Sequence, residues 1–201
     1  MSRFMQCSLF SCVILCLSFP VWADDAEDKS ATFVGTLGGT ATRDENLPGN
    51  PVITVFLVDK QVTDAGLKEL AGLKNLTRLV LVRAMVTDAG MKELAALKNL
   101  TDLSLGGTKV TDAGLKELAK IKSLTKLDLT NTQVTGKGLK ELAGLNRLTG
   151  LDLQKTQVTD VGLKELVTLI NLTSLDLRGT KVTDAGVKAH KQALPKCMVF
   201  K

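Results

Sequence analysis

The sequence predicts an α/β solenoid with a curved parallel sheet on its concave side and helices on its convex side. Three observations predict it. From Val52 onward the chain repeats every 24 residues, most clearly in the units starting at Leu100 (LTDLSLGGTKVTDAGLKELAKIKS) and Leu124 (LTKLDLTNTQVTGKGLKELAGLNR). Each unit carries a strand-like hydrophobic period followed by a helix-like one. Finally, one unit cannot stand alone. Its roughly seven inward apolar side chains contribute about 10–20 kcal/mol when buried. Ordering the backbone costs about 1–2 kcal/mol for every residue, so units must stack into a shared core.

The chain begins with a stretch that reads as a secretory signal peptide, residues 1–23. Arg3 supplies the positive start, Cys7–Phe19 an uncharged, mostly apolar run, and Val21-Trp22-Ala23 a cleavage site. The run is shorter than the about 20 residues of a membrane span, and Val13-Ile14-Leu15-Cys16 lacks the small residues of a lipidation site. Cleavage removes Cys7, Cys12 and Cys16, so Cys197 stands alone and the mature chain forms no internal disulfide. Residues 24–50 follow, with six acidic and two basic residues. They read as an acidic tether that becomes a partial cap from about Ala31, where Phe33, Val34 and Leu37 can cover the open end of the stack.

Residues 51–201 form the repeat domain, with six units starting at Val52, Leu76, Leu100, Leu124, Leu148 and Leu172. A shortened seventh unit starts at Cys197, displaced by one inserted residue, and supplies a C-terminal cap strand. Within one unit, Leu100, Leu103 and Leu105 space a short strand entered from a turn, and Leu115, Leu118 and Ile121 recur at helical spacing. Thr111-Asp112 stands where a helix N-cap belongs. The spacing L-x-x-L-x-L resembles the leucine-rich repeat. Thr108, Thr132, Thr156 and Thr180 occupy the slot that the family usually gives to Asn or Cys, and Lys60 and Ala84 depart from it. The helical half, V-T-D-A-G-L-K-E-L-A, is similar to ribonuclease-inhibitor-like repeats and to those of many secreted bacterial proteins. The resemblance implies a leucine-rich-repeat solenoid that binds another protein through its concave face.

At the last unit, His190 takes the slot held elsewhere by Leu70, Leu94, Leu118, Leu142 and Leu166, a replacement suited to an end that no further repeat covers. It is the chain's single His, which excludes a multi-histidine metal site. No G-x-S-x-G, P-loop or H-E-x-x-H motif occurs. The reading is therefore of a non-enzymatic chain with no catalytic, cofactor-binding or metal-binding residues. A formal net charge of +5 falls short of a nucleic-acid-binding tail. Lys-Glu pairs such as Lys116-Glu117 ladder along a solvated helix face.

The concave positions differ between units. The outward residue between the second and third leucine slots runs Phe56, Val80, Ser104, Asp128, Asp152, Asp176. Two candidate binding regions follow. An apolar patch at the N-terminal end comprises Phe56, Arg78, Val80, Val82, Arg83 and Met85, which residues 31–50 can alternatively cover. An acidic row of Asp128, Asp152 and Asp176, spaced about 4.8 Å apart, serves solubility or attracts a basic partner or Ca²⁺. The leading expectation is an exported (periplasmic, cell-surface or secreted) monomer that binds a protein partner, without nucleic acid and without a membrane span after leader cleavage. The alternative is a structural or assembly protein of the cell envelope.

Overall fold

Alternation along each L-x-L segment turns the leucines to one side and the residue between them to the other. In the computed structural model, which describes residues 25–201, this builds one eight-stranded sheet with strands in sequence order. The expected leader lies outside the described residues. The strands are β1 (Thr40–Arg43), β2 (Val52–Phe56), β3 (Arg78–Val80), β4 (Asp102–Ser104), β5 (Lys126–Asp128), β6 (Gly150–Asp152), β7 (Ser174–Asp176) and β8 (Met198–Phe200). β1 runs antiparallel to β2, and β2 to β8 are parallel, with a register step of 24 residues that aligns Leu79, Leu103, Leu127, Leu151 and Leu175. These leucines, with those of the helical halves, form one continuous buried core. The α/β leucine-rich-repeat solenoid expected from the sequence is the observed fold.

The helical halves are α2 (Asp64–Lys68), α3 (Asp88–Leu94), α4 (Asp112–Leu118), α5 (Asp160–Glu165) and α6 (Asp184–Ala193). The unit from Leu124 departs from expectation, with a 3-10 helix over Leu139–Gly144 in place of an α-helix. Gly136 stands there in the slot of Asp112, two residues before Gly138, and paired glycines disfavour helix initiation.

That Asp slot stitches the units together. Asp88 accepts hydrogen bonds from Thr111 N (2.7 Å), Thr111 Oγ1 (2.6 Å) and Gly114 N (2.9 Å), so it caps the helix of the following unit. Asp64, Asp112 and Asp160 do the same for Thr87, Thr135 and Thr183. The glycine of each V-T-D-A-G segment leaves room for this carboxylate: a Cβ on Gly114 would lie 2.5 Å from Asp88 Oδ1. In the first unit no Asp precedes, and the Phe33 ring lies against Gly66 instead. The slot threonines Thr108, Thr132, Thr156 and Thr180 donate to the carbonyl three residues back, at 2.6–2.7 Å, and seal the turn after each strand.

Both ends differ from expectation. The segment read as a tether is helical from its first described residue, as α1 (Asp25–Thr36). Glu27 is buried and accepts the Val52 amide at 2.5 Å, with Arg43 3.6 Å away, and the Ser30 hydroxyl donates to Glu69 O. Polar anchoring, invisible to a search for apolar side chains, brings the chain onto the end of the core ahead of Ala31. At the other end His190 is 2% exposed rather than open to solvent, and shares a small cavity with Leu163 and Val167 of the preceding unit. Neither ring nitrogen has a hydrogen-bond partner. Burial lowers the His190 pKa, against a weaker opposing effect of the Leu163 backbone.

Candidate binding groove

The side chains that the strands turn away from the core line a groove of about 510 Å³ spanning β2 to β8. Strand register arranges them in two columns. One runs Phe56, Val80, Ser104, Asp128, Asp152, Asp176 and Phe200, and the other includes Arg78, Asp102, Lys126, Gly150 and Ser174. An aromatic ring therefore stands at each end of the first column, six strand spacings apart, or about 29 Å.

The N-terminal end is open. Residues 40–43 pair along the edge of β2 instead of crossing its outward face, and Phe56 and Val58 remain 36% and 39% exposed. The Arg78 guanidinium lies 5.7 Å from the Phe56 ring centroid, a cation–π contact that keeps both side chains in place beside Val80.

Six of the nine residues expected from the sequence line this groove: Phe56, Arg78, Val80, Asp128, Asp152 and Asp176. Val82, Arg83 and Met85 do not, although Val58, in the slot of Val82 one unit earlier, does; for Arg83 and Met85 the reason is in the backbone. One residue per unit, seen at Asp59, Arg83, Asn131 and Lys155, has a left-handed φ of 53–56°, with glycine at the equivalent 107 and 179. This turn carries the chain away from the strand direction and onto the rim of the solenoid. There Arg83 makes a two-pronged ion pair with Asp59, the residue one unit earlier in the same slot. Hydrogen bonds with the Arg83 guanidinium lower the Asp59 pKa from the ordinary carboxylate value, and Asp59 raises that of Arg83.

The acidic row is spent on local structure. Asp128 accepts from Ser104 Oγ (2.6 Å) and Thr130 N (2.9 Å), and Asp152 from the backbone and side chain of Gln154 (2.9 Å each). Asp176 takes the Arg178 guanidinium at 2.6 Å. Burial pushes the Asp176 carboxyl up, but hydrogen bonds and the charge of Arg178 together hold it below 3.8. Among the described residues no three acidic, His or Cys side chains come together to hold a metal ion.

Sequence reasoning did not commit to Phe200, Asp102 or Ser104. Phe200 was hidden by the one-residue displacement expected at Cys197: the strand keeps the 24-residue step, which places Phe200 beside Asp176 and Val199 beside Leu175. Asp102 and its neighbour Lys126, 3.8 Å apart, sit one position before the second leucine slot, in the column of Arg78.

A leucine-rich-repeat family model matches residues 96–119, 120–143, 146–167 and 168–189. Among solved structures, a leucine-rich-repeat protein of Leptospira interrogans is 26% identical, covering 75% of this chain and 37% of its own, with a TM-score of 0.56. An internalin (inlF) of Listeria monocytogenes is 22% identical over 76% of this chain and 47% of its own, with a TM-score of 0.55. Internalin C2 of the same species is 24% identical over 89% and 83%, also with a TM-score of 0.55. This chain thus spans less than half the length of the first two. The likeness to the internalins is one of fold. Comparison with curated proteins finds no match. Among the described residues no helix is long and apolar enough to cross a membrane.

Proposed function

The chain is a leucine-rich-repeat protein, and on that premise we propose that it is an exported, non-enzymatic module that binds another protein in the groove of its sheet. One observation supports this most: the groove is uncovered, with partly exposed Phe56 and Phe200 at opposite ends of a rigid sheet. Large apolar side chains flanked by polar ones are the usual centre of a protein interface. The expected leader supports export, and the absence of a paired nucleophile and base in the sequence supports a non-enzymatic role.

Lysine-directed crosslinking of the native protein, read by mass spectrometry, tests the reading. Lys126 lines the groove, whereas Lys68, Lys92 and Lys116 stand on the helices. Partner crosslinks are expected at Lys126; crosslinks confined to the helix lysines would place the interface elsewhere. Self-association without a partner would favour the assembly role instead. With a partner in hand, Val80→Asp weakens binding by about tenfold or more. Arg83→Glu weakens it by about threefold or less, because its exposed charge is already matched by Asp59 at the rim.

A further inference from the structure

The positive charge of the repeat domain is not spread over its surface. The helix-to-strand turns 71–77, 95–101, 119–125, 143–149 and 167–173, with the C-terminal stretch 185–201, hold nine Lys and Arg and no Asp or Glu. The rest of residues 51–201 holds 14 basic and 15 acidic residues, close to neutral. The surplus therefore lies along one rim and one end.

The rim is a physical row. Asn99 Nδ2 donates to Lys74 O (2.9 Å), Lys122 Nζ to Gly144 O (3.3 Å) and Asn171 Nδ2 to Asn146 O (2.6 Å), so each turn lies against that of the next unit. Lys74, Lys98, Lys122, Arg147 and Lys196 are all exposed along it. Capping of a helix C-terminus explains Lys98, which donates to Ala95 O at 2.7 Å. It does not explain Arg147, nor the lack of any carboxylate in these turns. Among the described residues Lys98, Lys122 and Arg147 have no ion-pair partner, in contrast to Lys120, which pairs with Glu117 at 2.6 Å.

We infer that this rim binds an extended anionic polysaccharide. Cations in four successive turns, Lys74, Lys98, Lys122 and Arg147, match a polymer with charge on successive residues, and gain from all of them at once. The four charged turns also carry an amide or hydroxyl beside the charge (Asn75, Asn99, Ser123, Asn146), whose oxygen can accept from sugar hydroxyls. No aromatic ring stands in these turns to stack a nucleobase. Within the five turns, large apolar side chains that could enter a bilayer are exposed only at Val167 and Ile170. The site is separate from the groove, so its failure leaves the proposed function standing.

The test measures binding of the purified protein to heparin and to polygalacturonate at physiological salt, beside neutral dextran, duplex DNA and anionic phosphatidylglycerol vesicles. Expected is binding to both anionic glycans that weakens as salt rises, and none to dextran. The rim triple variant Lys98→Glu/Lys122→Glu/Arg147→Glu loses about tenfold or more in affinity. The same charge change on the opposite rim, Lys109→Glu/Lys155→Glu/Lys181→Glu, loses about threefold or less, because charges beyond about 10 Å are screened. Circular dichroism confirms that both variants are folded. Equal losses in the two variants, absence of glycan binding, or tighter binding to DNA or vesicles would each overturn the inference.

Discussion

Asp88→Ala lowers the unfolding free energy by about 2–4 kcal/mol and broadens the unfolding transition. The carboxylate accepts three hydrogen bonds from the following unit, from both groups of Thr111 and from the Gly114 amide. Hydrogen bonds to a charged acceptor are each worth about 1.5–3 kcal/mol, and water recovers part of the loss at a half-buried site. A solenoid unit touches only its neighbours, so weakening one junction in the middle lets the two halves unfold separately. Asp184→Ala is the control: it is the same slot in the last described unit, where the exposed carboxylate meets Lys201 and caps no helix among the described residues. Its urea melt is expected to superimpose on that of the parent. Thr111→Val combined with Asp88→Ala should cost less than the sum of the two single changes, since both remove the same bonds. If Asp88→Ala and Asp184→Ala melt alike, the stitching role is wrong. The Thr183 hydroxyl and amide hold Asp160 below 3.8, so its contribution is complete above that pH and is lost as pH falls through the lowered folded value.

These bonds show what a repeat sequence discloses and what it hides. The strands and core were legible because leucines at fixed spacing report burial directly. The Thr-Asp pair was legible as a cap, but only within its own helix. Asp88 serves a partner 23 residues later, and nothing in local spacing says that a side chain reaches forward one unit. The same blindness applied to α1, whose hold on the core rests on the polar Glu27 and Ser30. For the groove, the strand alternation found Phe56, Val80 and the three aspartates. It failed at Arg83 because a left-handed residue ends the alternation, and five different residue types fill that slot in six units, so composition gave no warning.

His190→Leu stabilises the protein by about 1–3 kcal/mol near neutral pH and removes one phase of its acid sensitivity. The slot belongs to leucine in five earlier units, and the parent ring is buried with both nitrogens unpartnered. Leucine restores apolar packing against Leu163 and leaves no buried donor without an acceptor. The sign of the pH effect follows from burial, which lowers the folded pKa below 6.5. Between 6.5 and that lowered value the unfolded chain binds a proton that the folded chain refuses, so stability falls as pH drops through this window. Below the folded value both states are charged and the loss levels off. Asp160 and Lys164 line the small cavity beside the ring, but neither is among the causes of the shift, so the window reports the imidazole rather than its neighbours. Thermal melts of parent and variant between about pH 7.5 and 5.5 decide it. The gap in Tm should widen steadily toward acid, because only the parent loses stability there. Curves that stay parallel across the range would mean that the ring is protonated in the fold as readily as in the unfolded chain, and that the cap at the C-terminal end tolerates a charge where every preceding unit has a leucine.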